Sequence, residues 1–475
     1  MRNSGLGRMA GAAGPGLAVT AGSVFGVGLN LVLPFVLPMA EYALYSLLLG
    51  LAQVVTSLAF EWMRLVMLRH GYGANLVLAS LRRMALAWAY VVTAGGLLAL
   101  AGVAAMLSMW LDWALAIAAV FACAAIQGAF DGQMAAARAR FDNRAFVVRW
   151  VLRAVLGLVL AVTAAAIFRS GIAALAGLAL SYPLAALLSL ERLPRWWRVD
   201  RGELGSLFRF GAAAAIGSNF SAVVPAVVRS LVVASLGLAG SSGVLLAVDI
   251  GQRLFSIIGM AINVVAVQNA IAAVERADGA AIRARVRDVV VLPLAVIGPM
   301  AIGFLALQPQ IAALIVPVEY RTGFDAGAWA VLLAAALQSV RHYGVDPLFL
   351  IFGRPGRAFL APGLVLALLL VAGFVPVDIW GGAIAAAVIP LLLANVAGVV
   401  AAILALRGLV PWPMAVLLRL GLALTAMAGV ASVLPNDGGL GQAVLNVLSL
   451  SLTYGGALVL LDIRKMRPRR EAVAG

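Results

Sequence analysis

Fourteen apolar stretches of about twenty residues or more alternate along this chain with short connections crowded with arginine. About 20 apolar residues are what an α-helix needs to cross the hydrocarbon core of a bilayer. Divided at charge clusters and at Pro, Gly or Asp turns, the stretches fall at 17–39, 42–66, 84–108, 112–136, 147–168, 170–190, 210–236, 243–270, 288–308, 325–351, 358–376, 379–406, 413–434 and 440–462. Lipid must solvate most of that surface. Charged residues make up 11% of the chain and mean hydropathy is +1.07, whereas a soluble domain carries about 25% charged residues. With no water to satisfy the backbone, such segments cross as helices. The predicted fold class is an all-α polytopic membrane protein of about 14 transmembrane helices.

The first stretch follows Arg2 and Arg8 in the manner of a secretory signal. Leu17 to Met39 is longer than the 7–15-residue apolar core of such a signal, so it is predicted to be a retained first span. Short cytoplasmic loops collect Lys and Arg, and this tests the count. With the N-terminus in the cytoplasm, that terminus, the even-numbered connections and the C-terminus together take 29 of the 34 basic residues, span ends included. The odd-numbered connections hold Arg169 and Arg321, and Arg229, Arg253 and Arg341 lie within spans. Adding or removing one helix destroys the alternation. Both termini are therefore predicted to be cytoplasmic.

The formal net charge of +15 invites a nucleic-acid reading. The basic residues are spread over eight cytoplasmic segments instead, as orientation signals and anionic-lipid contacts would be. Nucleic acid is thus not an expected partner. Tyr42, Trp110, Trp113 and Trp380 near the outer face, with Trp196, Trp197 and Trp412 near the inner, suit interfacial aromatic belts. Cys123 is the one cysteine and the histidines are His70 and His342, which excludes an intramolecular disulfide and makes no zinc constellation. Walker, G-x-S-x-G and H-E-x-x-H motifs are absent, and no loop is long enough for a separate catalytic domain. The expectation is a non-enzyme with no cofactor and no metal.

Internal symmetry is weak but placed as in many transporters. "AEYALYSLLLGLAQ" after the first span lies 200 residues before "SSGVLLAVDIGQR" after the seventh, and the longest cytoplasmic connection, about 191–209, separates the two sets. The predicted organisation is six spans in 1–200, six in 201–408, and a helix pair with a basic tail in 409–475.

At these positions the chain resembles the Wzx-type polysaccharide and lipid-linked oligosaccharide flippases of the multidrug/oligosaccharidyl-lipid/polysaccharide exporter superfamily. The family's E-Y-G-x-Y hairpin reads Glu41-Tyr42-Ala43-Leu44-Tyr45 here, its L-G and G-x-Y turn reads Leu236-Gly237 then Gly243-Val244-Leu245, and "LIVPVEYRTG" at 314–323 looks like its outer loop before span 10. The departures are Ala43, Leu245, and Val228 where an acid often precedes the arginine of span 7. An ion-coupling role placed on that acid does not carry over. The resemblance implies two six-helix bundles around a central V-shaped cavity, and as substrate an oligosaccharide on a polyprenyl pyrophosphate.

Ionisable residues at membrane depth are functional hypotheses, since an arginine there costs about 2.5–3.5 kcal/mol on insertion scales. Arg229 lies roughly 10 Å below the outer end of its span and Arg253 roughly 15 Å into the next, at 1.5 Å per residue. Asp249, one turn from Arg253, is placed to pair with it. Arg229, Arg253 and Arg341 are the candidates for holding a diphosphate through forked hydrogen bonds. A bridge from Arg229 to a carboxylate or to carbonyls of another helix is the alternative. His342 and Asp346 share a helix face and suit either proton relay or a structural bond. Glu61 and Arg64 form an interfacial pair or a cytoplasmic gate. Asp131 either carries a coupling cation, H+ or Na+, or contacts Arg64 or Arg138. Gly22 and Gly26 mark a small-residue packing face.

The function this resemblance implies is translocation of a polyprenyl-pyrophosphate-linked oligosaccharide across a bacterial inner membrane for surface polysaccharide. The alternatives are a cation-coupled drug exporter, a lipid II flippase and, from another class, a membrane polysaccharide polymerase. A cationic-drug site should be net negative, and an outer-face polymerase needs longer outer loops.

Overall fold

The computed structural model describes residues 22–70, 76–140, 142–187, 201–275, 279–435 and 439–461. Fifteen α-helices follow one another, and no strand occurs among the described residues. They are α1 (Gly22–Val36), α2 (Met39–His70), α3 (Leu76–Leu107), α4 (Ala114–Ala139), α5 (Asn143–Phe168), α6 (Gly171–Ala186), α7 (Arg201–Glu275), α8 (Gly279–Ala306), α9 (Gln308–Ile315), α10 (Val318–Val340), α11 (Asp346–Ile351), α12 (Leu360–Ala372), α13 (Ala383–Ala405), α14 (Met414–Ala431) and α15 (Leu440–Leu460).

Among the described residues ten helical stretches are long and apolar enough to cross a membrane, and α1, α6 and α12 are shorter apolar helices. One of the ten, Asn219–Ile262, carries the expected spans 7 and 8 within α7. The break between them is one residue, Gly237, at φ 69° and ψ 172°, a backbone that side-chain-bearing residues rarely adopt. Each of the fourteen expected spans therefore has its helix.

Helix ends differ from span ends where charge begins. Residues 201–209, expected in a connection, are helical, and α8 starts at Gly279 rather than 288. Charge ends an apolar run but not a helix, because arginine and glutamate are good helix formers. Stops come from turn chemistry instead. Asp142 accepts a hydrogen bond from the Ala145 N–H at 3.0 Å and opens α5, and Arg169 closes it in the left-handed conformation. The short α9, between spans 9 and 10, was not expected. The loop at 191–200, with Trp196 and Trp197, and the basic tail at 462–475 lie outside the described residues.

By packing, the chain forms two compact units that divide between Leu245 and Leu246. The division by span number, 1–200, 201–408 and 409–475, rests on a different criterion and stays a proposal. In the first unit α4 packs against α2, α3 and α6, and α5 against α6. Its core gathers Phe60, Met63, Leu86, Tyr90 and Leu207. In the second, α13 packs on α10 and α12, and α8 on α10 and α14, around Val286, Val345, Leu348, Phe349 and Leu406. Lipid tails are as apolar as leucine, so helices associate through close packing and interhelical hydrogen bonds. Alanine is accordingly frequent in both interiors. Gly22 fits the packing role expected of it, since a Cβ there would strike the Trp150 indole.

One aromatic expectation is corrected. Trp110 and Trp113 are exposed, but Tyr42 is fully buried beside Tyr45, with ring centroids 6.4 Å apart. Its position at the start of a span concealed that it faces the bundle.

Candidate functional site

Each unit carries charge inside its helix packing. In the first, Arg229 on α7 is 5% exposed. Its Nε donates to Ser46 Oγ on α2 at 3.2 Å, and its Nη1 to the carbonyl of Pro225, one turn earlier, at 3.1 Å. Gly50, one turn past Ser46, leaves room for the stem: a Cβ there would lie 2.9 Å from Arg229 Cδ. In this conformation the guanidinium is enclosed in a contact between α2 and α7. Ser46 and Gly50 were not among the sequence candidates, because a small residue in an apolar run carries no charge signal.

A second group in this unit centres on Asp131 of α4, which is half-buried. Arg153 of α5, Arg64 and Glu61 of α2, Tyr90 of α3 and Tyr182 of α6 all lie within electrostatic reach of one another or of Asp131, and Gln127 lies one turn before it on α4. Both arginines have their direct bonds elsewhere. Arg64 holds Glu61 in a two-pronged pair, Nε to Oε2 at 2.7 Å and Nη2 to Oε1 at 2.6 Å. Arg153 donates from Nη2 to the Tyr182 hydroxyl, and its guanidinium lies 4.5 Å from that ring's centre. Arg138 stacks over Phe146 instead. Sequence reasoning missed Arg153 because it counted this residue with the arginines of the neighbouring connection. Its place seven residues into an expected span was the available signal.

In the second unit, α10 ends in a π-helical turn, Arg341–Val345, before α11. Pro347 accounts for the widening, since proline cannot donate to the carbonyl four residues back and its ring crowds that carbonyl. Arg341 is 1% exposed, with Nη1 3.7 Å from Asp346 Oδ2. His342 Nδ1 lies 3.9 Å from the same oxygen, with its side chain 49% exposed. The buried Arg341 Nε and Nη1, Asp346 Oδ1 and Asn395 Oδ1 have no hydrogen-bond partner among the described residues. Arg341, His342 and Asp346 thus come together, with Asn395 of α13 a polar group the sequence reading passed over. Asp249 is buried and Arg253 half-buried, one turn apart on α7. Among the described residues no three His, Cys, Asp or Glu side chains gather as a metal ion would need.

The short motifs behind the family resemblance occupy structural joints. Glu41 Oε2 accepts the N–H of Gly171 at the start of α6, at 2.7 Å. Arg321 donates to the carbonyls of Val316 and Ala313 at the end of α9, at 3.0 and 2.9 Å.

The chain is a multi-pass α-helical membrane protein with paired charges inside its helix packing, and its fold is one already seen in transporters. A structure titled lipid II flippase MurJ, inward closed conformation, matches with a TM-score of 0.70 at 11% identity, covering 95% of this chain and 99% of that one. An inward-facing multidrug resistance MATE family transporter of the MOP superfamily matches at 0.57 and 14% identity, covering 83% and 93%. A MATE in complex with MaD3S matches at 0.53 and 14%, with the same coverage. At these identities the likeness establishes the fold. No protein-family profile matches the chain, and no curated protein matches it.

Proposed function

We propose that this protein is a flippase that carries a polyprenyl-pyrophosphate-linked oligosaccharide across a bacterial inner membrane for surface polysaccharide. What supports the reading is that Arg229, Arg253 and Arg341 lie in helical stretches apolar enough to cross a membrane, on a fold shared with a lipid II flippase. A diphosphate head is a ligand that guanidinium groups bind with forked, charge-assisted hydrogen bonds. The polyprenyl tail remains in lipid while the head crosses. Arg253 is half-buried and is the first contact in this reading. Arg229 and Arg341, each enclosed within its own unit, are the further candidates, and each becomes available only on leaving Ser46 or Asp346. The protein contributes differential binding in two conformations rather than bond chemistry, with an H+ or Na+ gradient as the source of direction.

The test is depletion of the protein followed by labelling of lipid-linked sugars on each face of the membrane. Accumulation on the inner face is the expected result. Unchanged sidedness together with altered dye efflux would replace this reading with a drug exporter, a class whose members share the fold. Accumulation of lipid II instead of a polysaccharide precursor would move the substrate to that lipid.

A further inference from the structure

We propose that Tyr454 splints a proline bend in α8, so that α8 and the C-terminal pair α14–α15 move as one body, and that the π-helical turn beside them is the joint left free to change. The inference goes beyond the transport reading. It concerns how the second unit moves, holds whatever the cargo, and is tested without any transported substrate.

Pro293 and Pro299 both interrupt α8 in mid-helix. Each lacks the N–H that the carbonyl four residues earlier would accept, which frees the oxygens of Val289 and Ala295. The two oxygens meet different surroundings. The Tyr454 hydroxyl of α15 donates to the Ala295 oxygen at 2.7 Å. The Val289 oxygen faces Gly344 of the π-helical turn, where a Cβ would lie 3.5 Å from it and 3.5 Å from Pro293 Cγ. Gly344 has no side chain to engage the bend, so one bend is fastened and the other only abutted.

Packing around the fastened bend is close. Ile302 and Ala306 of α8 cluster with Met427 of α14 and with Leu450 and Tyr454 of α15, and a Cβ on Gly298 would lie 2.9 Å from Leu424 Cδ1. The helix pair is also tied to itself at both ends. Arg419 Nη1 donates to the Leu461 carbonyl and Asn446 Nδ2 to the Pro435 carbonyl, each at 3.0 Å. A bare carbonyl in hydrocarbon has no water to turn to, so Tyr454 stays on Ala295 through any motion and carries α15 with it. At the π-helical turn the balance is reversed. Arg341 Nε and Nη1, Asp346 Oδ1 and Asn395 Oδ1 are buried without hydrogen-bond partners among the described residues. A rearrangement there breaks few bonds and can make new ones.

Hydrogen–deuterium exchange of the full-length protein in lipid nanodiscs tests this. In the wild type, 294–306 is expected to exchange more slowly than 341–345. Tyr454→Phe keeps the ring and removes the donor. It should speed exchange of 294–306 by about fivefold or more, the local opening that one lost hydrogen bond allows, and leave 341–345 unchanged. Pro299→Ala restores an N–H for the Ala295 oxygen. Added to Pro299→Ala, Tyr454→Phe should therefore lower the melting temperature less than roughly half as far as it does alone. A tyrosine that only packs gives the same loss in both backgrounds. Equal losses, unaltered exchange of 294–306 in Tyr454→Phe, or a π-helical turn that exchanges no faster than 294–306 would overturn the inference. The exchange comparison needs Tyr454→Phe alone, so it decides the matter even where Pro299→Ala does not fold.

Discussion

Glu41 Oε2 sits 2.7 Å from the backbone nitrogen of Gly171, so an acid in the first turn of α2 closes the N-terminus of α6, 130 residues away. Ser170, in the capping position, makes no side-chain bond of its own, and the helix dipole favours a negative group there. Glu41→Ala should lower stability by about 1 kcal/mol, the usual cost of a lost N-cap, and Glu41→Gln by less, because the amide oxygen still accepts. Gly171→Ala should be far worse. A Cβ there strikes the Glu41 carbonyl oxygen and lies 2.9 Å from the Tyr45 nitrogen, and backbone cannot step aside as a side-chain tip can. Thermal melts of the detergent-solubilised variants check the order, which an unchanged Glu41→Ala melt would contradict.

Arg229 gives a second ordering, because its contacts with Ser46 and Gly50 lie on one face of α2. Ser46→Ala removes one hydrogen bond and should cost roughly 1 kcal/mol while leaving the guanidinium on Pro225. Gly50→Ala should displace the stem and weaken the helix contact more. If Arg229 serves transport, Arg229→Ala abolishes export at a normal protein level. Normal export at a normal protein level would confine Arg229 to the α2–α7 contact.

The span count was legible because lipid imposes one rule, apolar length, and the arginine alternation tested it independently. Helix ends were less legible: 201–209 is charged and still helical, since helix propensity ignores the membrane boundary. The site was read unevenly for a physical reason. Charge in an apolar run announces itself, so Arg229, Arg341 and Asp131 stood out, and the pairs Glu61–Arg64 and His342–Asp346 followed from helical spacing. Ser46, Gly50, Tyr182 and Asn395 are uncharged, and what matters about them is what lies opposite, which only the packing of other helices decides. Tyr42 was misplaced for the same reason, because depth along a helix does not fix the direction a ring faces.

Gly259 and Tyr343 show such an opposing pair in the second unit. A Cβ at Gly259 would enter the Tyr343 ring, and that ring in turn meets His342 edge-on with centroids 4.7 Å apart. Gly259→Ala should destabilise by about 1–3 kcal/mol, the range for overpacking. Tyr343→Leu in the same chain should recover much of the loss, giving a coupling energy outside additivity. Additive effects on the melting temperature would show that the helix yields instead of the ring.

Arg341 and Asp346 allow a prediction about the π-helical turn itself. Arg341 is 1% exposed and its Nη1 lies 3.7 Å from Asp346 Oδ2. That separation gives electrostatic compensation without a full hydrogen bond, which fits a pair held apart by the widened backbone. Removing one partner of a buried pair leaves the other charge uncompensated and typically costs about 3–5 kcal/mol. Asp346→Asn should therefore lower the melting temperature sharply. His342→Gln should change it little, since that side chain is half exposed and 3.9 Å from the same oxygen. The double variant Arg341→Met, Asp346→Leu should melt at or above the wild type, because replacing both charges by apolar groups removes two desolvation penalties together. In transport the order should differ. The double variant loses the guanidinium the proposed site requires and should fail to export, whereas His342→Gln should keep its dependence on the pH gradient if the proton passes through Asp131. A His342→Gln protein that transports independently of pH would move the proton route to the second unit, and a double variant that exports normally would remove Arg341 from the substrate site.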